Sequence, residues 1–238
     1  MRGAIAIFVK TPGLSPVKTR LAAQLGRDTA ESFHLASAQA VTAVVQASTR
    51  NTAIQCYYAV AEHVALQQRR HWRDLPCLWQ GEGGLGRRMA HVYEQLLNQH
   101  DFVILVGADS PQMTAAELSI AYSCLSDCQH HQMVFGPSFD GGFWLFGGNC
   151  KVPIERWTSV TYSTADTGAQ FLNKIRHLGS IQTLIQLRDA DEPEDLPHVL
   201  KSLNQLSEPL PAQHALMSLL TTIVQPVAET ESGSSCAM

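Results

Sequence analysis

The sequence predicts an α/β protein built on a mainly parallel, doubly wound sheet. Three observations lead to this prediction. Short apolar runs, typical of strands that are buried on both faces, recur along the chain. Segments with helical spacing of apolar residues separate these runs. Loops with glycines and charged residues follow the runs, and ligands of such sheets bind at the carboxyl ends of the strands.

The composition restricts the class of protein. The chain has 238 residues, enough for one α/β domain with a sizeable core. Its 17 Lys and Arg against 21 Asp and Glu give a net charge of -4, which argues against nucleic-acid binding through a basic surface. No apolar run reaches the roughly 18–20 residues that a membrane span needs. We expect one domain over residues 1–225 and a disordered tail over residues 226–238.

The cysteines indicate the compartment. The chain has 6 of them, without C-x-x-C spacing, so we expect reduced thiols in a cytoplasmic protein. The sequence leaves the oligomeric state open, with a homodimer among the options.

The first half of the chain alternates strands and helices. Residues 4–9 predict a strand, and the loop that follows up to Arg20 contains two prolines and a glycine. Asp28 is expected to be the N-cap of a helix, with Glu31 in capping-box position. The pattern then predicts a strand over 54–60, a helix over 62–72 and a short strand over 75–79.

The second half continues this alternation. A glycine-rich loop over 81–86 precedes a helix and the clearest strand, 102–106. Thr114 and Glu117 form a capping box for the next helix. The remaining predictions are strands over 133–135, 143–146 and 181–187, a helix over 164–178 closed by Gly179, a helix after Asp195 and a helix over 211–224.

The loop after the first strand carries three cations. Lys10, Lys18 and Arg20 stand beside glycine and proline ahead of a helix, which suits an anion such as a nucleotide diphosphate. An ordinary solvated loop with surface charges is the alternative, and the spacing alone does not separate the two.

Carboxylates follow three other strands. Asp109, in a G-x-D-x-P turn, would project into the ligand crevice and offer oxygens to Mg²⁺ or Mn²⁺, although an Asx-turn is the alternative. Asp140 precedes two glycines, a pattern that is also a D-G hairpin turn. Asp189 and Asp191 could complete a metal site or simply form an acidic first helical turn with Pro193.

One motif points to a different class of enzyme. Gly81, Gly83 and Gly86 fit the G-x-G-x-x-G dinucleotide fingerprint of a nicotinamide-dependent oxidoreductase. The strand before this motif is short and contains Pro76, whereas a central parallel strand should be an apolar run. The sequence therefore disfavours this interpretation.

Five motifs occur in a characteristic order: F-V-K-T-P from Phe8 with V-K-T-R-L-A from Val17, Q-G-E-G-G-L-G-R-R-M from Gln80, G-A-D-S-P from Gly107, G-P-x-x-D-G-G-F from Gly136 and D-A-D-E-P-E-D-L from Asp189. Together they resemble a bacterial family of GT-A-type glycosyltransferases that is associated with radical-SAM proteins and selenoproteins and includes members assigned to arsenosugar biosynthesis. The resemblance extends over about residues 4–200. Its wider relatives form the nucleotide-diphospho-sugar transferase superfamily, including molybdenum-cofactor nucleotidylyltransferases.

The resemblance implies a three-layer α/β/α GT-A fold, which is Rossmann-like, with a mainly parallel mixed sheet. It implies Mg²⁺ or Mn²⁺ on Asp109 and Asp191, and catalytic roles for Asp109 and Asp140. It also assigns the binding of the nucleotide and its phosphates to Lys10, Thr11, Pro12, Lys18, Arg20, Gly83, Gly86 and Arg88, and that of the substrate to Gly141 and Gly142.

Two chemistries use such an apparatus. We expect metal-dependent glycosyl transfer from a nucleotide-diphospho-sugar to a small-molecule acceptor. The alternative is nucleotidylyl transfer, in which an NTP and a phosphorylated or hydroxyl substrate react and release pyrophosphate. A nicotinamide-dependent oxidoreductase and a noncatalytic nucleotide-binding regulator remain as further alternatives.

Overall fold

One sheet organises the chain. The computed structural model describes residues 1–68, 70–126 and 129–224, and the predicted tail over 226–238 lies outside these ranges. In the described ranges, the strands are β1 (Gly3–Val9), β2 (Ile54–Val60), β3 (Cys77–Trp79), β4 (Phe102–Gly107), β5 (Gln132–Pro137), β6 (Phe143–Gly148) and β7 (Ser180–Thr183). They form a 7-stranded sheet in the order β3-β2-β1-β4-β6-β5-β7.

The sheet is mixed but mainly parallel, as predicted. β6 pairs antiparallel with both β4 and β5, whereas the other pairs among the described strands are parallel. A tight turn over 138–142 joins β5 to β6, and a connection this short permits only antiparallel pairing.

Helices cover both faces of this sheet. Their bounds are α1 (Thr19–Leu25), α2 (Arg27–Thr49), α3 (Leu85–Leu97), α4 (Ala115–Leu125), α5 (Ile154–Thr158), α6 (Thr167–Ile175), α7 (Asp195–Asn204) and α8 (Pro211–Val224). α2 and α4 contribute to the core on one face, and α3, α5 and α6 contribute to the core on the other. α1, α7 and α8 form a third cluster with the outer side of α2. The three-layer α/β/α prediction is therefore confirmed.

Successive side chains of β1 are buried on opposite faces of the sheet, which explains its unbroken apolar run. Ile5 and Ile7 pack toward α2 and α4, whereas Ala4 and Ala6 pack toward α3, because successive side chains of a strand point to opposite faces. Both faces are covered, so neither set can be polar.

The predicted helix over 62–72 is wrong. A short 3₁₀ helix, His63–Leu66, forms instead. The Glu62 carboxylate accepts hydrogen bonds from the backbone of Thr11, and Trp72 turns into the core, where it is 2 % exposed. These long-range contacts outweigh the local helical pattern.

Several boundaries also differ from prediction. α2 begins at Arg27, after Gly26, which has a positive φ of 84° and is the N-cap, so Asp28 lies in the first turn and is not the N-cap. α6 ends at Ile175, so Gly179 does not close it, and β7 ends at Thr183. α1 and α5 were not predicted from the sequence, and each is a short helix. The capping box of Thr114 and Glu117 is confirmed.

Among the described helices, none is both long and apolar enough to cross a membrane.

Candidate active site

The site forms where the strand order of the sheet reverses, between β1 and β4. β1 has β2 on one side and β4 on the other, and chains that leave β1 and β4 diverge at their carboxyl ends. Such a switch point opens a ligand crevice. Lys10 follows β1 and Asp109 follows β4 by two residues, so the structure brings both predicted loops to this crevice.

Lys18 joins the two acidic loops. Its Nζ lies 2.9 Å from Asp109 Oδ1 and 2.7 Å from Asp191 Oδ1. The lysine side chain is only 3 % exposed, whereas those of Asp109 and Asp191 are 41 % and 49 % exposed. The predicted residues from three separate loops therefore meet at one buried ammonium group, with their carboxylates still open to the crevice.

The backbone of Lys18 is unusual. Its φ of 45° and ψ of 51° place it in the left-handed region, directly before α1. A residue with a Cβ adopts this conformation at a cost of about 1–3 kcal/mol, and such residues cluster at functional sites. The conformation is therefore a second feature that marks Lys18 as a candidate functional residue.

The charges of this group stabilise one another. Burial by itself would lower the pKa of Lys18, but Asp109 and Asp191 more than offset this effect and raise the pKa above its usual value. Burial would likewise raise the pKa of Asp109, yet the charge of Lys18 holds that pKa below its usual value. Lys18 is thus a cation and Asp109 an anion at neutral pH.

Buried side chains hold the first loop in place. Trp72 Nε1 donates to Thr11 Oγ1 over 3.0 Å, and the Thr11 amide donates to Glu62 over 3.0 and 3.2 Å. His34 Nε2 donates to the Lys10 carbonyl over 2.9 Å. Desolvation lowers the pKa of His34, which favours the neutral imidazole. Thr11, which was predicted to bind the nucleotide, is 5 % exposed and acts here through the position of its backbone.

The turn that carries Asp109 is fixed in the same way. Ser37 Oγ, from α2, donates to the carbonyl of Ala108 over 2.6 Å. The amide of Ala190 donates to the Asp109 carbonyl over 3.2 Å, which ties the turn to the loop of Asp191. Ser37, His34, Glu62 and Trp72 were all missed from the sequence, because nothing local marks a residue that anchors a distant loop.

Arg20 and Arg88 have other partners. Arg20 Nη1 lies 3.1 Å from Glu192 Oε1 in an exposed pair, and Arg88 Nε donates to the Gly83 carbonyl over 2.8 Å. Within the described chain, neither arginine has a contact with the group formed by Lys18, Asp109 and Asp191. Arg88 therefore shapes the glycine loop, whatever ligand that loop meets.

The close packing of two helices explains why a glycine stands at position 86. A Cβ built on Gly86 would lie 2.4 Å from the Trp157 carbonyl oxygen, so the glycine lets α3 approach α5 closely. Gln80, at the start of the loop, is buried and donates to the carbonyls of Val9 and Ala59 over 3.2 and 2.8 Å.

Asp140 lies in a closed turn. Its Oδ1 accepts from the Gly142 amide over 2.8 Å, and the side chain is exposed. Gly141 has a φ of 86°, and a Cβ there would lie 1.8 Å from the Ala165 carbonyl oxygen, so only glycine fits. This motif therefore forms a turn, as the D-G pattern predicts. The turn holds Asp140 at the crevice, near the carboxylate of Asp189.

The carboxylate of Asp189 lies among three other carboxylates of the crevice. Burial, followed by repulsion from Asp140, Asp191 and Asp109, raises its pKa to about 7. In the sequence, Asp189 belongs to an acidic pair, of which the family resemblance implies a metal role for Asp191 alone. The fold shows four carboxylates close enough to influence one another, a relationship that spacing could not reveal.

Asp195 supports this acidic loop. Its Oδ2 accepts from the amides of Asp191 and Glu192 over 3.1 and 3.0 Å, and its Oδ1 lies 3.0 Å from Arg188 Nη1. Asp191 is therefore presented to Lys18 by a bonded turn.

Asp109 and Asp191 are the candidate ligands of a divalent cation. Asp109 and Asp191 already share one cation, Lys18, and Asp109 Oδ1 is shielded from solvent without accepting a regular hydrogen bond. The described residues contain no set of three or more His, Cys, Asp or Glu able to hold a metal ion. Because Mg²⁺ typically takes one or two carboxylates and completes its shell with phosphates and water, the pair fits a metal that arrives with a nucleotide.

Comparison with known proteins gives a family and a fold. Residues 21–164 match the model of the family described as "Uncharacterized protein conserved in bacteria (DUF2064)", and the chain belongs to that family. A search of the curated proteins found no match.

Solved structures share the fold at low identity. One, from Desulfovibrio desulfuricans G20, is provisionally described as a nucleotide-diphospho-sugar transferase; it is 22 % identical with a TM-score of 0.80, covering 94 % of this chain and 97 % of that one. The 4-diphosphocytidyl-2C-methyl-D-erythritol synthase of Anaerococcus prevotii is 10 % identical with a TM-score of 0.53, covering 86 % and 96 %.

A third structure was determined with ligands. Glucosyl-3-phosphoglycerate synthase of Mycobacterium tuberculosis, in complex with Mn²⁺, UDP and phosphoglyceric acid, is 8 % identical with a TM-score of 0.51, covering 95 % of this chain and 80 % of that one. A synthase solved with Mn²⁺ and UDP and a synthase named for a diphosphocytidyl compound thus both have folds similar to this one.

Proposed function

We propose that this protein is a nucleotide-dependent transferase that moves a glycosyl group from a nucleotide-diphospho-sugar to a small-molecule acceptor in the cytoplasm. The observation that carries the proposal is the position of Lys18. A buried ammonium between two carboxylates, at the switch point of the sheet, suits a diphosphate and the cation that accompanies it. The fold shared with the Desulfovibrio structure supports the same class of reaction.

The proposed roles follow from the geometry. Lys18 lies where it can neutralise phosphate oxygens and stabilise the charge that develops on a departing nucleoside diphosphate. Asp109 and Asp191 would hold Mg²⁺ or Mn²⁺, which when bound supplies Lewis-acid stabilisation of the diphosphate. Asp140, exposed at the crevice, would orient the acceptor or accept its proton. Arg20, Lys10 and the glycine loop would contact outer parts of the nucleotide.

A binding experiment tests the proposal. Calorimetric titration with UDP- and GDP-sugars, CTP, GTP and NAD is run with and without Mn²⁺. We expect one nucleotide class to bind in a metal-dependent way, and Asp109→Asn to weaken that binding at least about tenfold. Asp101→Asn, at the opposite edge of the sheet, is the matched control and should leave it unchanged.

The outcomes separate the alternatives. Binding of NAD alone, without metal, would overturn the transferase proposal, and unchanged metal-dependent binding in Asp109→Asn would overturn the site. Metal-dependent release of pyrophosphate from an NTP would reassign the chain to nucleotidylyl transfer. Specific binding without turnover of any acceptor would indicate a nucleotide-binding regulator.

A further inference from the structure

A cavity of about 430 Å³ lies next to the candidate active site. We call it the lateral pocket. It is bounded by the start of α4, the β5–β6 turn, the segment after β7 and one side of α7, and its lining includes Gln112, Phe139, Ile185, Leu187, Arg188 and Lys201. Its size falls within the roughly 300–1,000 Å³ typical of small-molecule sites.

One wall of the lateral pocket is apolar and open. Phe139 and Ile185 are 56 % and 52 % exposed, and Leu187 lies behind them in the core. Arg188 stacks on the Phe139 ring, with Cζ 5.1 Å from its centroid, which holds the ring in place. Exposed large apolar side chains that converge on one cavity favour an apolar or aromatic ligand.

The lateral pocket has a lining cation that can meet an anion. Arg188 is paired with Asp195 at 3.0 Å, and the Glu117 carboxylate accepts from Thr114 in the capping box at the start of α4. Lys201 is exposed and forms no ion pair with any described residue. Among the described residues, Lys201 is therefore a local positive charge at the mouth of an apolar cavity, free to pair with an anionic group.

A buried acceptor adds a third feature. Gln112 is 5 % exposed, and its Nε2 donates to the Arg188 carbonyl over 2.5 Å, which fixes the orientation of the amide. Its Oε1 has no hydrogen-bond partner within the described residues. Buried polar atoms are normally paired, so this oxygen calls for a donor such as a hydroxyl group.

We propose that the lateral pocket binds a small amphipathic anion: an aromatic or apolar body with a carboxylate or phosphate at one end and a hydroxyl donor. The apolar wall would take the body, Lys201 the anionic group, and Gln112 the donor. No predicted nucleotide-binding residue lines the cavity, so this ligand differs from the nucleotide.

The lateral pocket adjoins the acidic crevice through the backbone. Phe139 precedes Asp140, Arg188 precedes Asp189, and the two carboxylate oxygens of Asp195 contact Arg188 on one side and the Asp191 amide on the other. Resting on the proposed function, we assign the ligand as the acceptor, whose hydroxyl would enter the crevice beside Asp140. The binding site itself can be tested without any nucleotide.

The experiment uses 4-hydroxyphenylacetate as the probe. Of the comparators, phenylacetate lacks the hydroxyl, 4-methylphenol lacks the carboxylate, and acetate keeps only the carboxylate. Methyl NMR of the full chain follows the shifts of Ile185 and Leu206, which line the cavity. We expect the probe to bind at least about fivefold more tightly than each comparator. Lys201→Gln should weaken the probe about fivefold and leave 4-methylphenol unchanged, whereas Phe139→Ala should weaken both.

Lys151→Gln is the matched control, because Lys151 is equally exposed and follows β6 at the opposite edge of the sheet; it should change nothing. Unchanged affinity in Lys201→Gln, or displacement of the probe by UDP, would overturn the proposed site, and equal binding of phenylacetate would overturn the role of Gln112. If the probe binds in the lateral pocket but no nucleotide binds the chain, the proposed function fails and the anion site stands.

Discussion

The first loop and the lateral pocket lie on neighbouring parts of one sheet edge, yet they are built differently. The first loop, residues 10–18, is held from several sides by buried partners, and Lys18 at its end is 3 % exposed. The lateral pocket presents Phe139 and Ile185 with more than half of each side chain exposed. In the proposed function, the first loop is the phosphate side, organised before any ligand arrives, and the lateral pocket is the acceptor side, which a ligand completes.

Removing the central cation is the strongest way to break this arrangement. Lys18→Met leaves Asp109 and Asp191 facing a diphosphate without compensation, so we expect turnover of the donor to fall about 100–1,000-fold. Steady-state kinetics measures this loss, and circular dichroism confirms that the variant folds. Lys151→Gln, which removes a lysine far from the crevice, should keep full turnover; a loss below threefold in Lys18→Met would contradict its role.

Gly141 lies in the β5–β6 turn that bounds the lateral pocket, and it makes this turn rigid. Gly141→Ala places a methyl group against the Ala165 carbonyl and forces a residue with a Cβ to a φ of 86°. We expect the free energy of unfolding to fall by about 2–4 kcal/mol, measured by urea denaturation. Gly84→Ala is the control, because its Cβ would meet nothing within 4 Å; it should cost less than about 1 kcal/mol. Equal losses of unfolding free energy in the two variants would show that the turn rearranges to accommodate a Cβ at position 141.

The acidic crevice between the two sides should respond to pH. The pKa of Asp189, at about 7 in the fold, exceeds that of an unfolded aspartate, so the folded state binds the additional proton. This group therefore adds stability that is fully present below about pH 4 and is lost as the pH rises through 7. Asp189→Asn mimics the protonated form.

We expect this variant, free of metal, to match the wild type near pH 4 and to exceed its free energy of unfolding by about 1–2 kcal/mol at pH 8, after allowance for solvent screening. Urea denaturation at several pH values measures the difference. A difference that stays constant with pH would show that Asp189 is ionised throughout.

The smallest expected effect tests the anchoring of the first loop. Trp72→Phe removes the hydrogen bond to Thr11 and should lower the free energy of unfolding by about 1 kcal/mol while raising the Kd of the nucleotide severalfold. Trp157→Phe removes a comparable bond, to the Val152 carbonyl, in the opposite layer. It should cost similar stability and leave nucleotide binding unchanged. Equal nucleotide affinity in both variants would show that the loop does not depend on Trp72.

Much of the site could be located from the chain alone. Lys18, Asp109 and Asp191 each follow a predicted strand at a place where ligands of parallel sheets bind, and the structure joins all three. Arg20 and Arg88 belong to the same motifs, but Arg20 pairs with Glu192 and Arg88 donates to the Gly83 carbonyl. The motifs therefore predict which loops meet at the candidate site. They do not show which charged side chains of these loops contact the group formed by Lys18, Asp109 and Asp191.

What the sequence by itself determined is local. Apolar runs defined β1, β2 and β4, and the Thr114 and Glu117 pair defined the start of α4, because strand periodicity and capping depend on residues a few positions apart. The tertiary structure alone decided that Lys18 bonds Asp191, 173 residues away, that Trp72 turns inward rather than continuing a helix, and that Asp189 shares its surroundings with three other carboxylates. These properties depend on the order of strands in the sheet, which brings distant loops to one edge and sets their burial and charge.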